Sequence, residues 1–379
     1  MKQRIFLIIL VVLSLGWGSW LFLPKYMQQA LLHLNPDITD YTIFHNRTIV
    51  AGNPLPWPIH DGYNAESVSK SALLEFEKYG TVAFLVVKDG KLLHEEYWDG
   101  YNDSTVSNSF SMAKSVISLL IGCLADEGKL SLSDPVVRYI PELKDDKDNP
   151  ITIKHLLTMS SGLDWDESYN NLTSVTTKSY YGSDITKLVT TLKKAEKPGA
   201  TFRYKGCDSQ LLGIIIERVS GMPVSDYASL KLWRPLGAEK DALWSLDKKN
   251  GKEKTFCCFN ATARDFARIG QLVLDSGSFD GKQLVSKAYL QEATAPCSWL
   301  RDEDGKPCTY YGYQFWLTET QGHKVIYARG ILGQYIFVIP SLNAVIVRLG
   351  KERSSEYVRH DTKDCFVYLN EGIRLARKP

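Results

Sequence analysis

Ser111 and Lys114 stand three residues apart in the run Phe110-Ser111-Met112-Ala113-Lys114-Ser115-Val116, a hydroxyl and an amine at the start of an apolar stretch. Residues three apart share one face of a helix, so the amine reaches the hydroxyl. The chemistry open to such a pair is removal of the serine proton as its oxygen attacks an acyl carbon. The amine must first shed a proton of its own, which burial and the positive end of a helix dipole both promote. The same helix start leaves backbone N–H groups unpaired, and that of Ser111 can face the oxyanion formed on attack. A Ser-x-x-Lys spacing arises by chance about once in a few hundred residues, so context must carry the reading. Met112, Val116, Ile117, Leu119, Leu120, Ile121, Cys123 and Leu124 leave almost no polar face, and Gly128 supplies a stop. Such a helix is buried at the domain centre. A serine and a lysine at its entrance cost desolvation energy and need a reason to be there.

The elements that must position this pair are legible on both sides of it. Ala65 to Tyr79 has the spacing of an amphipathic helix. Two β runs follow, Thr81 to Lys88 and Lys91 to Trp98, joined by Asp89-Gly90, a two-residue hairpin signal. Beyond Ser111 the pattern is mainly helical: Ile153 to Met159, Asp184 to Lys194, Ser209 to Ser220, Pro223 to Leu230 and Ala261 to Asp275. Short β-rich runs return at Lys324 to Ala328, Tyr335 to Ile339 and Ala344 to Leu349, before a last helix over about Lys363 to Lys378. Strands at both ends with a helical insertion between them predict an α+β domain, one sheet assembled from distant segments. The site is expected between sheet and helical region.

At 379 residues the chain can bury a large core. Its 45 basic and 43 acidic side chains are interspersed, for a net charge of +2, so no basic footprint for nucleic acid exists. Lys2 and Arg4 precede the uncharged apolar stretch from Ile5 to Leu23, long enough to span a bilayer. Trp17, Trp20, Leu21, Phe22, Leu23 and Pro24 stand where a cleavage site would need small residues, which favours an uncleaved anchor over a removed signal. The domain plan is therefore an anchor or signal segment at 1–24, a connector at 25–65 and a catalytic domain at 66–379, with that domain outside the cytoplasm. Among seven cysteines, Cys297 and Cys308 bracket a polar loop and form the expected disulfide, whereas the neighbours Cys257 and Cys258 are expected not to bond each other. No Cys or His spacing suits a metal, and no cofactor motif is present.

Ser111-Met112-Ala113-Lys114, with Leu156-Leu157-Thr158-Met159-Ser160-Ser161-Gly162-Leu163 downstream, resembles the serine β-lactamase and penicillin-binding-protein superfamily over residues 70 to 377. Asn260-Ala261-Thr262-Ala263-Arg264-Asp265 and Gly330-Ile331-Leu332-Gly333-Gln334 point to its class C-like branch of esterases, amidases and 6-aminohexanoate-dimer hydrolases. The resemblance implies a mostly antiparallel sheet flanked by helices plus an all-helical region. It also implies that Tyr204 shuttles a proton to the leaving group, and that the N–H of Ile331 joins that of Ser111 in holding the oxyanion. Two departures stand out. Gly206 occupies the position of an Asn or Ser two residues after the tyrosine, with Asp208 or a water as the expected compensation. Ala328-Arg329-Gly330 replaces Lys-Thr-Gly, leaving Arg329 as the expected anion anchor, although Arg and Lys are not interchangeable.

Trp165, Tyr169, Tyr180, Tyr181, Tyr311, Tyr313 and Trp316 are candidates for the pocket wall, and Gly333 with Gly330 for close backbone approach. No Gly-x-Ser-x-Gly elbow offers a rival nucleophile. The sequence thus predicts a serine hydrolase that cleaves a small ester, amide or peptide-like substrate through an acyl-enzyme on Ser111. A penicillin-binding DD-peptidase or weak β-lactamase is the alternative among enzymes, and an anchored, non-catalytic binding protein of the same fold the alternative outside them.

Overall fold

The computed structural model describes residues 20–377 with the exception of Asn170. The expected anchor, apart from Trp20 to Leu23, therefore lies outside the described residues. Among the described residues no helix is long and apolar enough to cross a membrane.

The central sheet is antiparallel and six-stranded. With strands numbered along the chain, it contains β2 (Thr81–Lys88), β3 (Lys91–Tyr97), β9 (Trp316–Thr320), β10 (His323–Gly330), β11 (Gln334–Ile339) and β12 (Ala344–Gly350), in the order β3-β2-β12-β11-β10-β9. The hairpin forms where Asp89-Gly90 placed it, with φ of +52° and +71° at the two turn residues. Neighbouring residues of β12 show what covers each face. A Cβ on Gly270 would meet Val345, whereas one on Gly372 would meet Ile346. Side chains alternate across a strand, so the Ala263–Leu274 and Lys363–Ala376 helices lie on opposite faces. Both glycines let helix backbone sit close to the sheet. The β2 run is buried over seven consecutive residues, as a strand covered on both faces must be.

A second, four-stranded sheet was not legible in the sequence. It pairs β1 (Asn46–Ile49), β5 (Ala242–Ser245), β6 (Phe259–Ala261) and β4 (Ser107–Asn108) in the order β1-β5-β6-β4. Its strands have two to four residues, too few to show a period of two. A small hairpin of β7 (Ser278–Phe279) and β8 (Lys282–Gln283) completes the numbering. Helices run shorter than their apolar patterns: Lys70–Lys78, Ile153–Leu157 and Ile185–Thr190 start after the side-chain caps Ser69, Thr152 and Asp184. Conversely the Gly206–Ser220 helix starts three residues early, with no side-chain cap at Lys205.

The connector is part of the body. It carries a Lys25–His33 helix and the edge strand β1, paired along its length with β5. Beneath it Lys254 is buried, its Nζ bonded to the Tyr180 carbonyl and 3.2 Å from the Phe44 ring centroid. Tyr180 in turn donates to Asp40 at 2.6 Å. Burial, against weaker attraction to Asp247 and Asp40, pushes the Lys254 amine down to about 7. Burial also raises the Asp40 carboxyl above its ordinary range, against the hydrogen bond from Tyr180. Between roughly pH 7 and 10 the unfolded lysine still binds a proton that the folded one has released, so stability rises with pH in that window. The melting temperature of wild type relative to Lys254→Met is thus expected to increase from pH 7 to pH 9. A pH-independent difference in thermal denaturation would contradict this assignment.

Candidate active site

Strand β4 delivers the chain to the candidate nucleophile. The Ser109 N–H donates to the Phe259 carbonyl at 2.8 Å, and the Asn108 side chain accepts from the Phe110 N–H at 2.9 Å. Phe110 adopts φ +44°, uncommon for a large side chain, and the chain then turns through Phe110–Met112 into the Ala113–Asp126 helix. Ser111 therefore sits in the tight turn before the helix proper. From Ala113 to Leu124 that helix is buried, as its unbroken apolar sequence required.

Lys114 is 1% exposed. Its Nζ lies 3.1 Å from the Ser111 hydroxyl and 2.6 Å from the Phe256 carbonyl, with the Tyr204 ring centroid 5.0 Å away. The three expected side chains are thus brought together, and the Phe256 carbonyl is a fourth member that sequence reasoning missed. No side-chain pattern announces a backbone acceptor 142 residues away.

The carbonyl is held by a strongly constrained turn. The Trp244 indole donates to the carbonyls of Lys254 at 3.1 Å and Cys257 at 3.0 Å. Cys257 and Cys258 are disulfide-bonded, which corrects the expected pairing. Cys297 and Cys308 are buried free thiols, pushed up by burial to about 12 and about 11, in a loop closed instead by backbone bonds from Cys297 to Tyr311 and Cys308 to Leu300.

The third strand motif approaches from the far side. A Cβ on Gly330 would fall 2.2 Å from the Ser109 carbonyl oxygen, so only glycine lets the end of β10 pack against the nucleophile turn. This brings Ile331 onto the same cavity as Ser111. That cavity, of about 250 Å³, is also lined by Phe110, Glu167, Tyr169, Tyr180, Tyr181, Phe256 and Cys257, and by Ala30, Leu34, Asn35 and Pro36 of the connector. The connector's role as a wall was not expected.

Tyr204 is fixed by the second motif: the Arg203 N–H donates to the Met159 carbonyl at 2.9 Å. Its ring packs on Trp316 at 5.3 Å and edge-on to Tyr311 at 6.2 Å between centroids. Trp316 and Tyr311 therefore back the tyrosine and do not line the cavity, and Tyr313 instead donates to Glu292.

Several expected substrate contacts are corrected. Arg329 stacks on Trp316 at 3.7 Å and donates to the His360 carbonyl at 2.8 Å, off the cavity wall. Gly333, at φ +80°, makes room for the Arg348 guanidinium, which a Cβ would meet at 2.2 Å. Trp165 stands behind the wall, its indole donating to Glu167 at 2.5 Å, whereas Tyr169 does line the cavity. Asp208 is buried against the Ser161 hydroxyl at 2.6 Å, and burial lifts its carboxyl to about 6. The atoms nearest a Cβ at Gly206 belong instead to Glu167, Trp165 and Phe256. Asn260 and Thr262, prominent in the sequence, serve structure: Asn260 pairs with Asn108, and Thr262 caps the following helix.

A mostly antiparallel sheet between helices, with Ser and Lys at the entrance of a buried helix and a Tyr ring from a second helix start against the Lys, defines the serine β-lactamase and penicillin-binding-protein superfamily. The Beta-lactamase family model matches residues 72–363, and the chain belongs to that family of hydrolases. It is 29% identical over 289 residues to the 6-aminohexanoate-dimer hydrolase of Paenarthrobacter ureafaciens, covering 72% of this chain and 73% of the relative. Protein flp of Staphylococcus aureus is 32% identical over 167 residues, 41% of this chain, and the match spans only 33% of that relative. Among solved structures, a Bacillus anthracis protein provisionally called a 6-aminohexanoate-dimer hydrolase superposes with TM-score 0.72 at 22% identity, over 89% of this chain and 92% of that one. A family VIII carboxylesterase superposes with TM-score 0.60 at 14% identity, over 82% and 99%.

Gly330→Ala is expected to leave a folded protein while pushing the Ser109–Ser111 turn away from Ile331. Displacements of this size cost about 100-fold in rate when they fall on reacting groups. Hydrolysis of p-nitrophenyl butyrate beside a thermal melt checks this, and an unimpaired rate would show that the contact does not matter.

Proposed function

We propose that the protein cleaves small ester or amide substrates through a covalent acyl-enzyme on Ser111. The observation that carries this is the 3.1 Å approach of the Lys114 amine to the Ser111 hydroxyl, which lies on the wall of a cavity lined in part by aromatic side chains. Ser111 attacks the acyl carbonyl as Lys114 takes its proton. Tyr204 passes a proton to the leaving group, and the backbone N–H groups of Ser111 and Ile331 hold the oxyanion. Water then attacks the acyl carbon and frees Ser111.

Ester and amide cleavage is favoured over β-lactam or peptidoglycan chemistry because the third motif lacks its lysine and Arg329 is engaged by Trp316 and the His360 carbonyl. A carboxylate on the substrate would find no cationic side chain there. The names of the hydrolase and carboxylesterase relatives point the same way. From the apolar stretch Ile5 to Leu23 we further propose that the chain is held at a membrane with the catalytic domain outside the cytoplasm.

Intact mass of residues 25–379 after exposure to a fluorophosphonate probe tests the reading. Wild type is expected to gain one adduct, Ser111→Ala none, and Lys114→Ala one formed at least about 100 times more slowly. No adduct on folded wild type would favour a binding protein that has kept the fold.

A further inference from the structure

Gly206 leaves a gap beside the catalytic tyrosine, and the structure fills it from another part of the chain. The Gly206–Ser220 helix has no side-chain cap of its own. Its first N–H donates instead to Oε2 of Glu167 at 2.7 Å. A carboxylate at a helix N-terminus is favourable both as an acceptor for an orphan donor and against the helix dipole. The same Oε2 accepts from the Trp165 indole at 2.5 Å, and Oε1 accepts from the Tyr169 hydroxyl at 2.7 Å. One carboxylate thus ties together the helix that begins two residues after Tyr204, a buried tryptophan, and a tyrosine of the cavity wall.

The space argument is equally direct. A Cβ built on Gly206 would lie 3.3 Å from Glu167 Oε2, 3.4 Å from the Trp165 ring and 3.5 Å from the Cβ of Phe256, the residue whose carbonyl accepts from Lys114. A larger side chain at 206 and the carboxylate of Glu167 therefore compete for one volume beside the catalytic groups. Glu167 itself reaches the cavity.

We propose that Glu167 is a positioning residue that replaces the missing side chain at position 206, fixing Tyr204 and the Phe256 carbonyl relative to Ser111. The inference rests on the serine-hydrolase reading. It predicts an exchange: position 206 can recover a polar side chain once Glu167 is removed, and not while it is present. A purely structural cap predicts lower stability in Glu167→Ala with no change in turnover per folded molecule.

The experiment compares wild type, Glu167→Gln, Glu167→Ala, Gly206→Asn and the Glu167→Ala/Gly206→Asn double variant. It measures fluorophosphonate labelling rate, kcat and KM for p-nitrophenyl butyrate, and the thermal melt. Glutamine keeps an acceptor for Trp165 and Gly206 and a partner for Tyr169, so Glu167→Gln is expected within about 3-fold of wild-type kcat, and Glu167→Ala about 30- to 100-fold below it with KM little changed. Gly206→Asn alone is expected to lose about 10-fold or more, and the double variant to exceed Glu167→Ala by about 10-fold or more. Wild-type kcat in folded Glu167→Ala, or a folded double variant no better than Glu167→Ala, overturns the proposal. If Glu167→Ala does not fold, the double variant decides against Gly206→Asn: higher kcat in the double variant supports the exchange, and equal or lower kcat overturns it. Failure of wild type to take the probe would instead defeat the underlying reading, so the two failures are distinct.

Discussion

The candidate site is organised around one buried amine. Lys114 Nζ is held between the Phe256 carbonyl and the Ser111 hydroxyl, over the face of Tyr204. An amine out of water needs acceptors, and this one has a backbone oxygen on one side and a serine hydroxyl on the other. The requirement reaches far along the chain. The Ala113–Asp126 helix brings the lysine and the turn before it the serine, the turn after β5 brings the carbonyl, and the Gly206–Ser220 helix start brings the aromatic face. Each is anchored in turn by a sheet or by the long helices, which is why a pair three residues apart needs a domain of this size.

What the sequence revealed, and what it hid, follows from the range over which each signal acts. Tyr204 was visible through the family resemblance of its motif, and Ser111 and Lys114 because their spacing and flanking apolar residues are local. The hairpin at Asp89-Gly90 and the β10, β11 and β12 runs were visible for the same reason. The second sheet was hidden because strands of two to four residues carry no period. Glu167 was hidden for a different reason: within Asp164-Trp165-Asp166-Glu167 it looks like one more solvated acid, and only the fold shows three donors converging on it. Arg329 misled because a cation at the motif position says nothing of the ring beneath it, and Trp316 claims its guanidinium.

The two departures from the family pattern have different characters. At Gly206 a lost side chain is answered by another group in the same space. At Arg329, by contrast, no lysine or arginine stands among the described residues that line the cavity.

The bond between Cys257 and Cys258 closes almost no chain. The entropy that a cross-link removes from an unfolded polypeptide grows with the length it encloses, so this one contributes little to keeping the protein folded. Its effect is confined to stiffness, at the one turn whose preceding carbonyl receives the catalytic amine. Breaking this bond would therefore free one local turn beside the carbonyl that holds Lys114, and would barely change the chain length open to the unfolded state.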